Sequence, residues 1–305
     1  MGTALYPLVA VVNHSCRPSA VLTFGRCFVA SLRCVSALKP GDEVTIAYAD
    51  CCAPAAERRA ALAASHGFVC RCEACAAAFA RGGSEHDRAL GGECCSACGA
   101  ATPARPTGGG SDTASDACEA CGRALPPRSQ NDARRAEVAA LLAAAAAAQR
   151  GGDAAVRAAR CGAALRAAEA ARLSRADALR TRALEATASC RIDGGDWLGA
   201  LACLKGATEG LEAAFGCGGD GGVGDESGGG GSPTVHPLIG LHWATMGRLA
   251  GAAGDAAAAA CAWEVAARVL RLTHGVGAPV ARDADQSARE MAAEVAHHAA
   301  ARRLE

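Results

Sequence analysis

Apolar positions recur at two different periods along this chain, and the change falls near residue 50. Before it, short β-branched runs (Val9–Val12, Ala20–Phe24, Cys27–Leu32 and Val44–Tyr48) stand between turn residues. Arg17-Pro18, Gly25-Arg26 and Lys39-Pro40-Gly41-Asp42 punctuate them, a pattern that predicts strands joined by turns. Residues 54 to 66 switch to a helical pattern rich in Ala, Glu and Arg. Residues 76 to 130 show little order, and Pro103, Pro106 and Gly108-Gly109-Gly110-Ser111 mark a flexible loop inside them. From about 131 the pattern is helical to the end, so an α+β chain is expected.

The helical part carries a recurring signal. Gly-Asp stands at three predicted inter-helix turns: Gly152-Asp153, Gly195-Asp196 and Gly254-Asp255. A small residue follows each by four or five positions, at Arg157-Ala158, Ala200 and Ala259-Ala260. Paired helices with small residues at the closest approach resemble tetratricopeptide repeats. The alternative is a generic helical bundle. Gly216 to Ser232 is a glycine-rich insert, expected to be disordered. The abundance of alanine weakens any argument from periodicity, because alanine fits almost any face.

Composition narrows the class. Lys+Arg and Asp+Glu each number 31 in 305 residues, so the net charge is zero and direct nucleic-acid binding is not expected. The longest apolar run, Ala139 to Ala148, is too short to span a bilayer. Met1 leads into Leu5-Tyr6-Pro7-Leu8-Val9 with no basic region or cleavage site, so no export signal and no membrane partner are expected. Eighteen cysteines in such a chain point to zinc rather than disulfides. Cys27, Cys34, Cys161, Cys190, Cys203 and Cys261 stand apart from the others and are read as small buried hydrophobes.

Most of the remaining cysteines fall into two groups. Cys70-x-Cys72-x-x-Cys75 is one thiol short of a closed tetrahedral site, and Cys16 of Asn13-His14-Ser15-Cys16 can supply it. Cys95-x-x-Cys98-Gly99 and Cys118-x-x-Cys121-Gly122 are two knuckles that together make a second four-cysteine site, with Cys94 as an adjacent substitute for Cys95. About two structural zinc ions are expected.

Around the first group other residues gather. Tyr48 follows Gly41-Asp42-Glu43 at a predicted strand end, and Phe68 stands two residues before Cys70. Singly, each has a plain reading: a packed tyrosine, a capping Asn-His pair, a core phenylalanine. Their order is more specific. Leu5-Tyr6-Pro7, Asn13 to Pro18, Gly41 to Tyr48, Arg58 to Leu62 and Phe68 to Cys75 together resemble the C-terminal half of a SET domain with its post-SET zinc segment. The subfamily is the SET-and-MYND-domain (SMYD) protein-lysine methyltransferases. The helical region, with Val235-His236-Pro237 and Leu272-Thr273-His274-Gly275, also resembles that subfamily.

The resemblance implies a domain order. Residues 1–50 would be the C-terminal part of the SET domain and 51–80 the post-SET zinc segment. Residues 81–130 would be a zinc-ribbon-like insertion, and 131–305 a tetratricopeptide-like helical domain. It implies S-adenosylmethionine as cofactor, with Asn13, His14, Tyr48 and Phe68 around it. The Asn13 amide would meet the amino-acid end, the His14 backbone would read the adenine edge, and Phe68 would stack on adenine. Tyr48 would be the catalytic residue, lining the lysine channel. Cys16, Cys70, Cys72 and Cys75 would hold zinc. The partner would be a protein with a target lysine, a histone or another protein, and other proteins would bind the helical domain. Cytoplasmic or nuclear residence and a chromatin role would follow.

The match has departures. Ser19 stands where the family usually has Asn, Ala10 where a Ser lines the cofactor, and His66 where an aromatic is common. The family's Gly-x-Gly loop and MYND finger lie upstream of the first motif, whereas this sequence opens twelve residues before Asn13. The expectation is therefore a truncated or degenerate methyltransferase pocket. The alternative is a non-catalytic, zinc-stabilised helical-repeat scaffold.

Overall fold

The computed structural model describes residues 4–25, 29–80, 84–102, 117–215 and 236–301. The chain forms two compact units, one from Met1–Cys51, Ala56–Ala76 and Phe215–Glu305, the other from Cys52–Ala55 and Ala77–Ala214. It is mostly helical with a few short strands. Among the described residues no helix is long and apolar enough to cross a membrane.

The first unit opens with a single helical turn, α1 (Pro7–Ala10), where a strand over Val9–Val12 was expected. Pro7 sits at the first helical position, where its fixed φ suits a helix and its missing N–H costs nothing. β1 (Ala20–Phe24) and β2 (Ala30–Cys34) then pair antiparallel, with Leu22 opposite Leu32. The second strand starts later than the run over Cys27–Leu32 predicted, and Cys27 lies outside the described residues.

The run Val44–Tyr48 forms no strand. It meets the chain start through one parallel bridge, His14 to Ile46. Thr45 N donates to the Ser19 hydroxyl (2.9 Å) and Ser19 N to the Thr45 hydroxyl (3.1 Å), so side chains interrupt the backbone pairing that Ala20 N to Thr45 O (2.9 Å) would otherwise continue.

α2 (Ala55–His66) follows the predicted 54–66 closely. It buries Arg58 (2% exposed) and Leu62 (0%), one turn apart on one face. α3 (Glu73–Phe79) starts inside the cysteine motif and buries Cys75.

The same unit ends in three helices. α9 (Pro237–Ala252) and α10 (Ala256–Thr273) form a hairpin, and α11 (Pro279–Ala301) packs on α10. Trp263 lies at their core, facing Gly247, with Ala281 and Ala284 fully buried nearby. The insert read over Gly216 to Ser232 lies outside the described residues, as does Val235. Its flanks are close: the rings of Phe215 and His236 stack with centroids 4.9 Å apart. Arg33 on β2 donates from Nε to the Leu272 carbonyl at the end of α10 (3.3 Å), which joins hairpin and helices.

The second unit holds α4 (Glu85–Leu90), the small hairpin of β3 (Glu93–Cys94) and β4 (Ala101–Thr102), and the helices α5 (Arg128–Arg150), α6 (Ala154–Ala170), α7 (Ala178–Asp193) and α8 (Trp197–Phe215). Its core is Val138, Ala168, Ala171, Leu173 and Leu179.

The three Gly-Asp turns share one geometry. Gly152, Gly195 and Gly254 have φ of +75°, +75° and +81°, the left-handed region open to glycine. The following aspartate caps the next helix: Asp153 accepts from Val156 N, Asp196 from Gly199 N and Asp255 from Ala258 N, each at 2.9 Å. The small residues behave less uniformly. Ala200 and Ala259 are fully buried, but Ala158 is exposed, and Cys161 and Ala164 take its place in the core.

Candidate metal clasps and cofactor site

The four sulfurs of Cys16, Cys70, Cys72 and Cys75 lie within 4.8 Å of one another, and so do those of Cys95, Cys98, Cys118 and Cys121. A tetrahedral zinc with Zn–S near 2.3 Å has S···S edges of about 3.8 Å. The Cys16–Cys75 separation is 3.5 Å, and Cys95–Cys121 and Cys98–Cys118 are each 3.7 Å. Donor set and spacing therefore fit two zinc ions. Cys94, the expected substitute for Cys95, is outside the second cluster.

Local backbone builds each clasp. In the second, Cys95 N donates to Ala100 O and Gly99 N to Cys95 O. Cys118 N donates to Arg123 O and Gly122 N to Cys118 O in the same pattern, so the two knuckles are equivalent turns. Backbone N–H groups of Cys98 and Ala97 draw the Cys95 thiol down to about 6. In the first clasp, burial pushes the Cys72 thiol up, but N–H groups of Cys16 and Cys75 with the neighbouring thiols outweigh it and bring it to about 7. Each site thus contains one thiol drawn toward the thiolate that a metal requires.

Cys16, Cys70 and Cys75 pack with Leu62, and Tyr48 lies against them. The buried Arg58 guanidinium acts electrostatically on Cys16, Cys51 and His14. Four thiolates on a zinc dication leave a net charge of about −2, so a buried cation is what such a clasp needs. The Arg58-to-Leu62 motif was visible in the sequence; the burial of its cation was not.

The residues expected around a cofactor come together beside the first clasp. Ile46 N donates to Asn13 O (3.0 Å) and Ser15 N to Ile46 O (3.1 Å), which sets His14 next to the Tyr48 segment. The His14 and Tyr48 rings are 5.4 Å apart, and those of His14 and Phe68 6.2 Å. Phe68 is 37% exposed. Asn13 is exposed, and its amide donates to Glu43 Oε1 (2.7 Å). The Tyr48 hydroxyl donates to the Val12 carbonyl (2.5 Å). Burial holds the His14 imidazole below its ordinary value.

His66 stacks on Tyr48 with centroids 4.9 Å apart and 26° between planes. The sequence marked His66 only as a departure from an aromatic; its stacking on Tyr48 appears only in the fold. The isolated cysteines divide. Cys161 and Cys203 are buried, Cys190 is half-buried, and Cys34 and Cys261 are exposed, against expectation. The last two sit at a strand end and on an outer helix face, positions that spacing alone does not distinguish.

No protein-family model matches the chain. Curated proteins do. The N-lysine methyltransferase SMYD2 of Homo sapiens is 39% identical over 75 residues, which is 25% of this chain and 17% of the relative. SMYD2-A of Xenopus laevis is 40% identical over a stretch of the same length. A SET and MYND domain-containing protein of Dictyostelium discoideum is 36% identical over 74 residues, 24% of this chain and 22% of the relative. The match lies in the N-terminal region, where the motifs stand. Over that stretch the chain is similar to SET-and-MYND-domain proteins. The matched stretch is 17% of the length of the SMYD2 proteins.

Proposed function

We propose that the first unit carries the cofactor and lysine site of an S-adenosylmethionine-dependent protein-lysine N-methyltransferase. The observation that supports this most is the convergence of Asn13, His14, Tyr48 and Phe68 beside a four-cysteine clasp. Methyl transfer from a sulfonium to an amine is an in-line displacement. It needs a neutral amine, an aligned methyl group and little water, and positioning can contribute about 7–11 kcal/mol.

In this reading Phe68 offers its exposed face to the adenine ring. The Asn13 amide exchanges Glu43 for the amino-acid end of the cofactor. The Tyr48 hydroxyl orients the amine, its ring next to those of His66 and His14. Cys16, Cys70, Cys72 and Cys75 hold a structural zinc that keeps these distant segments together. The second zinc orders the ribbon over 81–130 on its helices. The SET-like part over 1–50, the post-SET segment over 51–80 and the tetratricopeptide-like helices over 131–305 belong to the same reading. So do a histone or other protein substrate, protein partners on the helical hairpins, and cytoplasmic or nuclear residence.

Titration calorimetry with S-adenosylmethionine tests the site. A saturable heat that disappears in Asn13→Ala supports it, and Tyr48→Phe should then abolish methyl transfer to protein lysines while leaving the heat. No heat at millimolar cofactor overturns it for this chain. A second reading, a non-catalytic zinc-stabilised scaffold, draws on the engagement of both polar site groups by the protein itself: Asn13 with Glu43 and Tyr48 with Val12. It predicts no heat at any concentration.

A further inference from the structure

The His14 side chain has two partners of different kinds. Its Nδ1 accepts from the backbone N–H of Tyr48 at 3.0 Å, and its Nε2 lies 3.2 Å from Cys16 Sγ. A backbone amide can only donate, so Nδ1 carries the lone pair and the ring proton sits on Nε2. Nε2 is then the donor and the Cys16 sulfur the acceptor, which is the role of a metal-bound thiolate. The Ile46 carbonyl, which accepts from Ser15 N–H (3.1 Å), also lies beside the imidazole, but the Tyr48 N–H at Nδ1 still leaves Nε2 as the protonated nitrogen.

We infer that the His14 imidazole is a positioning group that couples metal occupancy of the first clasp to the placement of Tyr48. A hydrogen bond from a histidine to a metal-bound thiolate fixes the ring, and the fixed ring holds the peptide of Tyr48. The tyrosine is then located from both ends, its amide by His14 and its hydroxyl by Val12 O. Emptying the clasp frees the Cys16 sulfur from the point where it faces Nε2 at 3.2 Å, and so releases the ring. Outer partners of this kind commonly change metal affinity by about 10- to 100-fold. The inference requires a metal in the clasp and does not depend on the methyltransferase reading.

The test is hydrogen exchange of the Tyr48 backbone amide in the full chain, with zinc content measured on the same samples. In the unmodified protein, stripping zinc should speed exchange about tenfold or more. Cys98→Ser, which disables only the second clasp, should leave that response intact. His14→Asn keeps an acceptor near Nδ1 but loses the donor to Cys16. It should keep Tyr48 protected, make protection independent of zinc, and release zinc from the first clasp about tenfold faster. His14→Gln places its amide near Nε2 and should do the reverse, holding zinc while exposing the Tyr48 amide. If stripped and loaded protein protect Tyr48 equally, or if the Asn and Gln variants behave alike, the coupling is overturned. Purified protein with no zinc in the first clasp overturns it as well. None of these readouts involves cofactor or methyl transfer, so this inference and the proposed activity can fail separately.

Discussion

Arg172 donates from Nη2 to the Cys95 carbonyl at 2.7 Å and from Nε to the Cys94 carbonyl at 3.1 Å. In return Cys94 N donates to Arg172 O at 2.7 Å. Arg172 does this at φ +54°, the one positive value for a non-glycine among the described residues. The turn between α6 and α7 thus grips the Cys95 knuckle of the second clasp with both backbone and side chain, at some conformational cost. Arg172→Ala should destabilise the second unit by about 1 kcal/mol, since the side chain is exposed. Arg172→Gly, which relieves the backbone, should be more stable than the Ala variant by about 1 kcal/mol. Urea unfolding of the two variants checks the order.

The protein should carry two zinc ions per chain by elemental analysis. Cys70→Ser should remove one and Cys118→Ser the other, since each belongs to a separate cluster. A chelator should lower the melting temperature, because metal binding free energy is folding free energy at such sites. Metal-free protein that melts at the same temperature would contradict both clasps.

Two glycines on α9 should respond in opposite ways. A Cβ on Gly247 would lie 2.8 Å from Trp263 Cε2, in the packed core. Gly247→Ala should cost about 1–3 kcal/mol through overpacking. At Gly251 the nearest atom to a Cβ is Ala259 Cβ at 3.9 Å, an ordinary contact. Gly251→Ala should stabilise by up to about 1 kcal/mol through helix propensity. Thermal unfolding of the pair tests the packing.

Burial holds His274, at the end of α10, below its ordinary imidazole value. The unfolded chain therefore binds this proton more readily than the folded one. Stability from this group is present above the unfolded value of about 6.5 and falls as pH drops toward the folded value. His274→Gln should flatten the loss of stability as pH falls below about 6.5. A pH series of denaturant midpoints reads this directly.

Aspartate at the Gly-Asp turns should matter as a cap. Asp255→Ala leaves the Ala258 N–H without its acceptor and should cost about 1 kcal/mol, with Asp255→Asn close to neutral. Thermal unfolding of the two variants separates the cap from any effect of charge.

Much of this architecture is written locally. The spacing of Cys70, Cys72 and Cys75, the paired knuckles, the Gly-Asp turns and the helix over Ala55–His66 depend on neighbours within a few residues, and all were legible. The borrowed thiol of Cys16 was legible too, because a tetrahedral ion leaves a countable vacancy. The runs at Val9–Val12 and Val44–Tyr48 were misread as strands. A short apolar run fits a turn, a strand or a bridge equally well until a partner strand is or is not present.

What the sequence determined alone is the two sets of four cysteines, the helix caps and the motif order shared by its N-terminal stretch and a known family. Tertiary structure decided which atoms those residues face. It set Tyr48 against His66 and His14, gave the Asn13 amide to Glu43, buried Arg58 beside the first clasp and left Cys34 and Cys261 exposed. The physical reason is range. Caps and ligand spacings are fixed by bonded geometry over a few residues, whereas these contacts join groups distant in sequence, and only the packed chain settles which of many possible pairs meet.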